Sequence, residues 1–246
     1  MLNYRIDGDG PPLLLLHGFG ISFNIWTELA PRLRGQFQLV TVELPGVGLS
    51  PVPPPAQPYL AAAVDALDSL RDSLSIPRWS VIGYSSGSRV AEAYLQSHAE
   101  RVERAVFLAP AHTTADKALG LRIASKVDAR IPAIGNWVLS GWRLKFLIHL
   151  LGFNLQKTDR VPLWYAEISS QPVSVLKSTL RSLPDFGARQ FDIPAEIPAL
   201  FVWGREDLIT ATPRRPSASD VIIHATHSAP QTNAREVRNV VLRFLK

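Results

Sequence analysis

The stretch Trp79-Ser80-Val81-Ile82-Gly83-Tyr84-Ser85-Ser86-Gly87-Ser88-Arg89-Val90-Ala91 decides how the rest of the chain is read. It begins as a short apolar run, turns on Gly-x-Ser-x-Gly, and continues as a helix of small residues. A serine on such a strand-to-helix turn is forced outward, with its hydroxyl above the carboxyl edge of a sheet. Gly83 and Gly87 leave room for the strained backbone and let the helix lie close to the strand. The helix begins at the serine, so its free N–H groups and its dipole face any negative charge forming there. Ser85 is therefore a candidate nucleophile, set against the plainer reading of a Gly/Ser-rich turn with no chemistry.

The chain has 246 residues, 46% of them apolar and 19% charged. That is enough for a sizeable core and does not suggest global disorder. The length suits one domain with an insertion. The formal net charge is +5, but the cations are scattered, without a block of like charge or a basic-aromatic stripe. A solvated basic surface is expected, and no nucleic-acid partner. Cysteine is absent, which excludes disulfides, thiolate catalysis and cysteine-ligated metal. Met1 to Gly10 lacks the basic start and apolar core of a signal peptide. No run of about 18 apolar residues is present to span a membrane. The cytoplasm is the expected location, and a monomer or homodimer the expected assembly.

Outward from Ser85, short apolar runs alternate with helical patterns. Leu2 to Ile6 reads as an edge strand, and Leu13 to Leu16 as a buried strand stopped by Gly18. His17-Gly18-Phe19-Gly20 is the loop at its carboxyl end. Asn24 to Leu33 is expected to be a helix and Gln38 to Val42 a strand. A further helix opens near Pro58, with Leu60, Val64, Leu67 and Leu74 as its apolar stripe. Ala105 to Ala109 is the next strand. From about 111 to 192 no strand is legible, whereas Gly135 to Ile148, Pro162 to Ser170 and Pro172 to Leu183 have helical character. Strands resume at Pro198 to Trp203 and Asp220 to Ile223, before a last helix from Ala234 to Lys246. This order predicts an α/β fold with a mostly parallel, doubly wound sheet flanked by helices. Residues 1–111 and 194–246 form its core, and 112–193 a helical insertion.

A serine hydroxyl needs a base to take its proton and a third group to orient that base. In an open parallel sheet these belong on loops leaving the carboxyl ends of strands. Trp203-Gly204-Arg205-Glu206-Asp207 supplies carboxylates after one strand. His224-Ala225-Thr226-His227 supplies imidazoles after the next. Glu206 competes with Asp207 for the acid, with Asp116 a more remote alternative, and His224 competes with His227 for the base. His112 stands just past Pro110 on the same edge. His98 and His149 read as surface or insertion residues.

Taken together these segments resemble the α/β-hydrolase superfamily. His17-Gly18-Phe19-Gly20 looks like its His-Gly oxyanion loop, and Glu43-Leu44-Pro45-Gly46-Val47-Gly48-Leu49-Ser50 like its Asp-x-Pro-Gly-x-Gly-x-Ser turn. Gly83 to Gly87 is similar to its nucleophile elbow, Trp203-Gly204-x-x-Asp207 to its acid loop, and His227 to its histidine. The resemblance implies that Ser85 attacks a carbonyl, His227 moves the proton and Asp207 holds the imidazole. It also implies an oxyanion hole from the N–H groups of Phe19 and Ser86, with His17 fixing the loop backbone. Glu43 stands where aspartate is usual, and Thr226 where glycine commonly precedes the histidine. Serine at position 85 excludes haloalkane dehalogenase chemistry, which needs aspartate there, and argues against the epoxide and hydroxynitrile branches.

The implied activity is cofactor-free and metal-free hydrolysis of a small or medium apolar ester through an acyl-enzyme. Diketone C–C bond or thioester cleavage on the same residues is the alternative, as is a hydrolase-fold ligand receptor with a vestigial triad. The insertion is expected to cap Ser85. Tyr84, His112, Trp137, Trp142 and Trp164, with Phe146 and Tyr165, are expected to wall the substrate pocket; the competing reading has the rings packing the insertion onto the core. The segment 135–151 is also a candidate to touch a lipid surface.

Overall fold

The computed structural model describes residues 1–112, 126–128, 130–143, 161–182 and 191–246. Its frame is a seven-stranded sheet: β1 (Tyr4–Asp7), β2 (Pro12–Leu16), β3 (Gln38–Val42), β4 (Trp79–Tyr84), β5 (Val102–Leu108), β6 (Ala199–Gly204) and β7 (Asp220–Ile223), in the order β1-β3-β2-β4-β5-β6-β7. β1 runs antiparallel to β3 at the edge, and every other pair is parallel.

The run Leu13 to Leu16 shows why these strands form. All four leucines are fully buried, and the alternation of a strand sends Leu13 and Leu15 into one core, Leu14 and Leu16 into the other. Each such side chain contributes about 1.5–3 kcal/mol of burial, so neither face can be left uncovered. One face is covered by Trp26, Leu29, Leu33 and the C-terminal helix; the other by α2 (Tyr59–Ser73) and α3 (Gly87–Ser97).

Three expectations shift. The helix expected over Asn24 to Leu33 is a 3-10 turn, Phe23–Trp26, followed by the single-turn α1, Ala30–Leu33. Pro31 cannot donate a backbone hydrogen bond and restricts the residue before it, which favours the break. Trp26, Leu29 and Leu33 are still buried together. In α2 the buried stripe is Ala63, Val64, Leu67 and Leu70, while Leu60 and Leu74 are only partly buried. The helix expected from Gly135 instead starts at Pro132 and ends at Val138 (α4); a turn at 139–140 separates it from helical residues 141–143, with Gly141 at φ +57°, and residues 144–148 lie outside the described set.

Between β5 and β6 the described residues hold helices and no strand, as the absence of a strand pattern implied: α4, α5 (Val161–Ser169) and α6 (Val173–Ser182). After β7 come a short helix α7 (Ala229–Thr232) and α8 (Ala234–Leu245), whose Val237, Val241 and Leu242 are buried against the sheet. Among the described residues no helix is long and apolar enough to cross a membrane.

Candidate active site

Ser85 follows β4 with φ +51°, a left-handed conformation that a serine rarely adopts. The surrounding sheet holds it there. Ser85 N–H donates to the Leu108 carbonyl at 3.0 Å, and Ala111 N–H to the Ser85 carbonyl at 3.2 Å. The flanking glycines are sterically required. A Cβ on Gly83 would lie 2.7 Å from the Ser88 Cα, and one on Gly87 2.3 Å from the His17 carbonyl oxygen. That second approach brings the end of β2 against the start of α3.

The loops after β6 and β7 bring Asp207 and His227 to the same edge. Asp207 Oδ2 lies 2.8 Å from His227 Nδ1, and His227 Nε2 lies 3.0 Å from Ser85 Oγ. A carboxylate only accepts, so Nδ1–H donates to Asp207 and Nε2 is left to accept the Ser85 hydroxyl proton. Asp207 also accepts from the Ile209 N–H (2.8 Å), the Thr210 N–H (3.0 Å) and the Thr210 hydroxyl (2.6 Å). Burial alone would raise its pKa. The charge and hydrogen bond of His227 and the bonds from Thr210 outweigh that and hold the carboxyl below its ordinary range.

Glu206 and His224 take no part in this chain. They face each other at 3.6 Å on the surface, with side chains 46% and 70% exposed. Asp116 and His149 lie outside the described residues, and His98 stacks on Tyr94 away from the site.

The loop after β2 is built around His17. Burial pushes its pKa down to about 4, against the pull of its Gly18 hydrogen bond and the Glu43 charge, so the ring is neutral. Its Nδ1–H donates to the Gly18 carbonyl at 2.8 Å, and the Leu44 N–H donates to its Nε2 at 2.9 Å. The Gly18 carbonyl and the Phe19 N–H belong to one planar trans peptide and point in opposite directions. His17 therefore sets the direction of the Phe19 N–H. Among the described residues neither the Phe19 nor the Ser86 N–H has a protein acceptor. Both residues line a small cavity with Gly18, Leu44, Val47 and Tyr59.

Glu43, where aspartate is usual, is tied into the edge. It accepts from Asn3 Nδ2 (2.7 Å), the Leu49 N–H (2.8 Å) and the Ser22 hydroxyl, tying three segments of the edge together. Burial works against its ionisation, but these bonds and the nearby His17 leave its pKa lowered.

The remaining expected pocket residues are dispersed. Tyr84 is turned beneath the site, 1% exposed, with its hydroxyl donating to the His227 carbonyl at 3.0 Å. It supports the histidine rather than lining the cavity. Its own pKa is raised well above the usual value by burial and by the Asp207 charge. Trp164 is 1% exposed within the core, so it packs the insertion down. Trp137 and Trp142 are 59% and 70% exposed, with the Arg143 guanidinium over their rings. His112 sits edge-on to Trp203, 6.2 Å between ring centroids. Tyr165 packs beside Phe19, Ile168 and Leu176; Phe146 lies outside the described residues. Among those residues no group of three or more histidine, aspartate or glutamate side chains is placed to hold a metal.

Sequence reasoning did not identify Thr210 or the Tyr84–His227 bond. The first has a local signal, since an aspartate readily bonds the backbone two and three residues on. The second joins residues 143 positions apart and has none.

The chain is similar to several known proteins. A pimeloyl-[acyl-carrier protein] methyl ester esterase of Aeromonas hydrophila is 30% identical over 243 residues, covering 91% of this chain and 90% of that enzyme. An uncharacterised protein of Mycobacterium tuberculosis is 30% identical over 84% of this chain, which spans 64% of its length. A hydrolase structure from Pseudomonas aeruginosa superposes with a TM-score of 0.74 at 23% identity, covering 99% of this chain and 94% of that one. An epoxide hydrolase from Bacillus megaterium gives 0.79 at 17% identity, covering 99% and 96%. At those identities the likeness is one of fold. The family model of the alpha/beta hydrolase fold matches residues 11–214, from the strand before His17 to beyond Asp207, and the chain belongs to that family.

Proposed function

We propose that the protein is a serine hydrolase that cleaves a carboxylic ester through an acyl-enzyme. The observation that carries this reading is the unbroken hydrogen-bonded chain Asp207–His227–Ser85, ending on a hydroxyl held at a strained turn. The methyl ester esterase of Aeromonas hydrophila supports ester as the bond type.

Ser85 Oγ attacks the ester carbonyl carbon while His227 Nε2 takes its proton. The carbonyl electron pair moves onto oxygen, where the N–H groups of Phe19 and Ser86 receive it. Collapse expels the alkoxide, which takes the proton from His227 and leaves as the alcohol. Water then attacks the acyl-Ser85 ester with His227 again as base, and collapse expels Ser85 Oγ, which takes the proton back from His227 as the acid is released. Asp207 stabilises the imidazolium formed in each half. One oxyanion donor is worth about 2.7–4 kcal/mol, which is why the aim of the Phe19 N–H matters.

In this reading residues 112–193 act as a cap over Ser85. Thioester and C–C cleavage use the same three side chains and are separated by a substrate panel. The test is burst release of alcohol from a chromogenic short-chain ester. Ser85→Ala and His227→Ala are expected to abolish turnover, while a fluorophosphonate labels the parent at Ser85. Unchanged turnover in Ser85→Ala defeats the mechanism, and tight ligand binding without labelling favours a receptor.

A further inference from the structure

The insertion grips the loop that carries Phe19. Gln171, 6% exposed just past the end of α5, donates from Nε2 to the Gly20 carbonyl at 2.7 Å and to the Glu167 carbonyl at 3.1 Å. Both partners are acceptors, which fixes the amide with its nitrogen toward the loop. Ile168 lies against Gly20. A Cβ there would come 2.7 Å from Ile168 Cγ1, and φ is +66°, so this residue is glycine for both reasons. The Phe19 ring packs on Ile168 and Leu176, and Asn24 Nδ2 donates to Glu167 Oε1 at 2.9 Å.

Phe19 thus lies between two pinned peptides. His17, from the core, holds the peptide of Gly18 and Phe19; Gln171, from the insertion, holds the peptide of Gly20 and Ile21. We propose that Gln171 is a positioning residue for the oxyanion hole, so that the Phe19 N–H is aimed at the reacting oxygen when α5 is seated on the loop. The proposal rests on the reading of Ser85 and Phe19 given under Proposed function. It makes the insertion part of the reaction's geometry as well as a cover for the substrate.

Gln171→Met keeps the volume and removes the donor. Its kcat on a short-chain ester is expected to fall about tenfold, a fraction of the 10²–10³ that outright loss of an oxyanion donor costs, with KM nearly unchanged. Affinity for a boronic acid, whose tetrahedral adduct on Ser85 puts an oxygen in the hole, is expected to fall by a similar factor. Gln171→Glu provides a readout that loss of packing would not move. Its carboxylate repels the Gly20 carbonyl, whereas the protonated carboxyl can donate to it. The ratio of variant to parent kcat should therefore rise as pH is lowered. That ratio also decides the matter if the methionine variant fails to fold. A parent-like kcat and boronate affinity in Gln171→Met, or a flat ratio in Gln171→Glu, overturns the proposal. If the parent itself neither turns over esters nor is labelled at Ser85, the functional reading fails instead, and that is known before any variant is made.

Discussion

Two carboxylates, one at the carboxyl edge of the sheet and one on the insertion, are held very differently. Asp207 receives four hydrogen bonds, three of them from residues within three positions of it, and its pKa is lowered. Glu167 on α5 receives the Asn24 amide on Oε1, while among the described residues its buried Oε2 has no partner in hydrogen-bonding geometry. Burial, helped by the Glu43 charge, raises its pKa despite the pull of Ser22 and Asn24. A side chain satisfied by its own loop is in place as soon as that loop folds. One that depends on a partner 143 positions away is in place only when two layers meet. The edge is self-organised; the insertion is seated.

If that is so, the insertion should be most vulnerable where its two ends meet the sheet. Arg89 and Glu92, both 1% exposed, form an ion pair at 2.8 Å on α3. Arg89 Nε donates to the Ala111 carbonyl at 3.0 Å, and its guanidinium lies 3.7 Å from the centre of the Phe191 ring. Glu92 Oε1 accepts the Asp192 N–H at 2.7 Å. One buried pair therefore ties both crossings. Glu92→Ala leaves the arginine charge buried and uncompensated and is expected to cost about 3–5 kcal/mol. Urea unfolding measures it. A cost near zero would show the junction is held by apolar contacts such as the clustered Phe107, Phe191 and Phe201 rings instead.

The edge should fail to acid in a window of its own. His17 has a folded pKa of about 4 and an ordinary one of 6.5. Above 6.5 both states hold it neutral and its contribution is intact. Between 6.5 and 4 the unfolded chain takes up the proton and the folded one does not, so stability falls as pH falls. The loss levels off below 4 at about 3 kcal/mol. Glu43 and Asp207, both with lowered pKa values, add their loss as pH falls through the ordinary carboxylate range toward those lowered values. Stability measured by urea unfolding should therefore decline in two stages, and His17→Asn should lack the first. An unchanged slope between pH 6.5 and 4 in that variant would show that other groups set the acid limit.

The same contrast decides what was legible in the sequence. The elbow, the acid loop and the histidine announce themselves because each is a local event: a glycine pair, a strand end, a residue type just beyond it. Four consecutive leucines needed no partner to be read as a strand buried on both faces. The insertion's aromatic residues gave no such guidance. Trp137, Trp142 and Trp164 have the same composition signal, yet two are on the surface and one is in the core. Helix spacing places a ring on a face but does not say what that face meets. Arg89 and Glu92 were equally silent, because an i,i+3 charge pair on a helix ordinarily faces solvent.

The edge still carries one visible flaw, and it coincides with a departure from the family pattern. Thr226 stands where a glycine commonly precedes the histidine and is 1% exposed, and among the described residues its buried Oγ1 has no hydrogen-bond partner. A buried hydroxyl left unpaired costs about 1–3 kcal/mol. Valine has nearly the same shape without the polar atom. Thr226→Val should therefore stabilise the protein by about 1 kcal/mol, read as a higher midpoint in urea with an unchanged slope. Its kcat should stay at the parent value, because Tyr84 and Asp207 fix His227 from elsewhere. A loss of stability would mean that a water molecule satisfies the hydroxyl. The difference between the edge and the insertion would then be sharper than the side chains alone suggest.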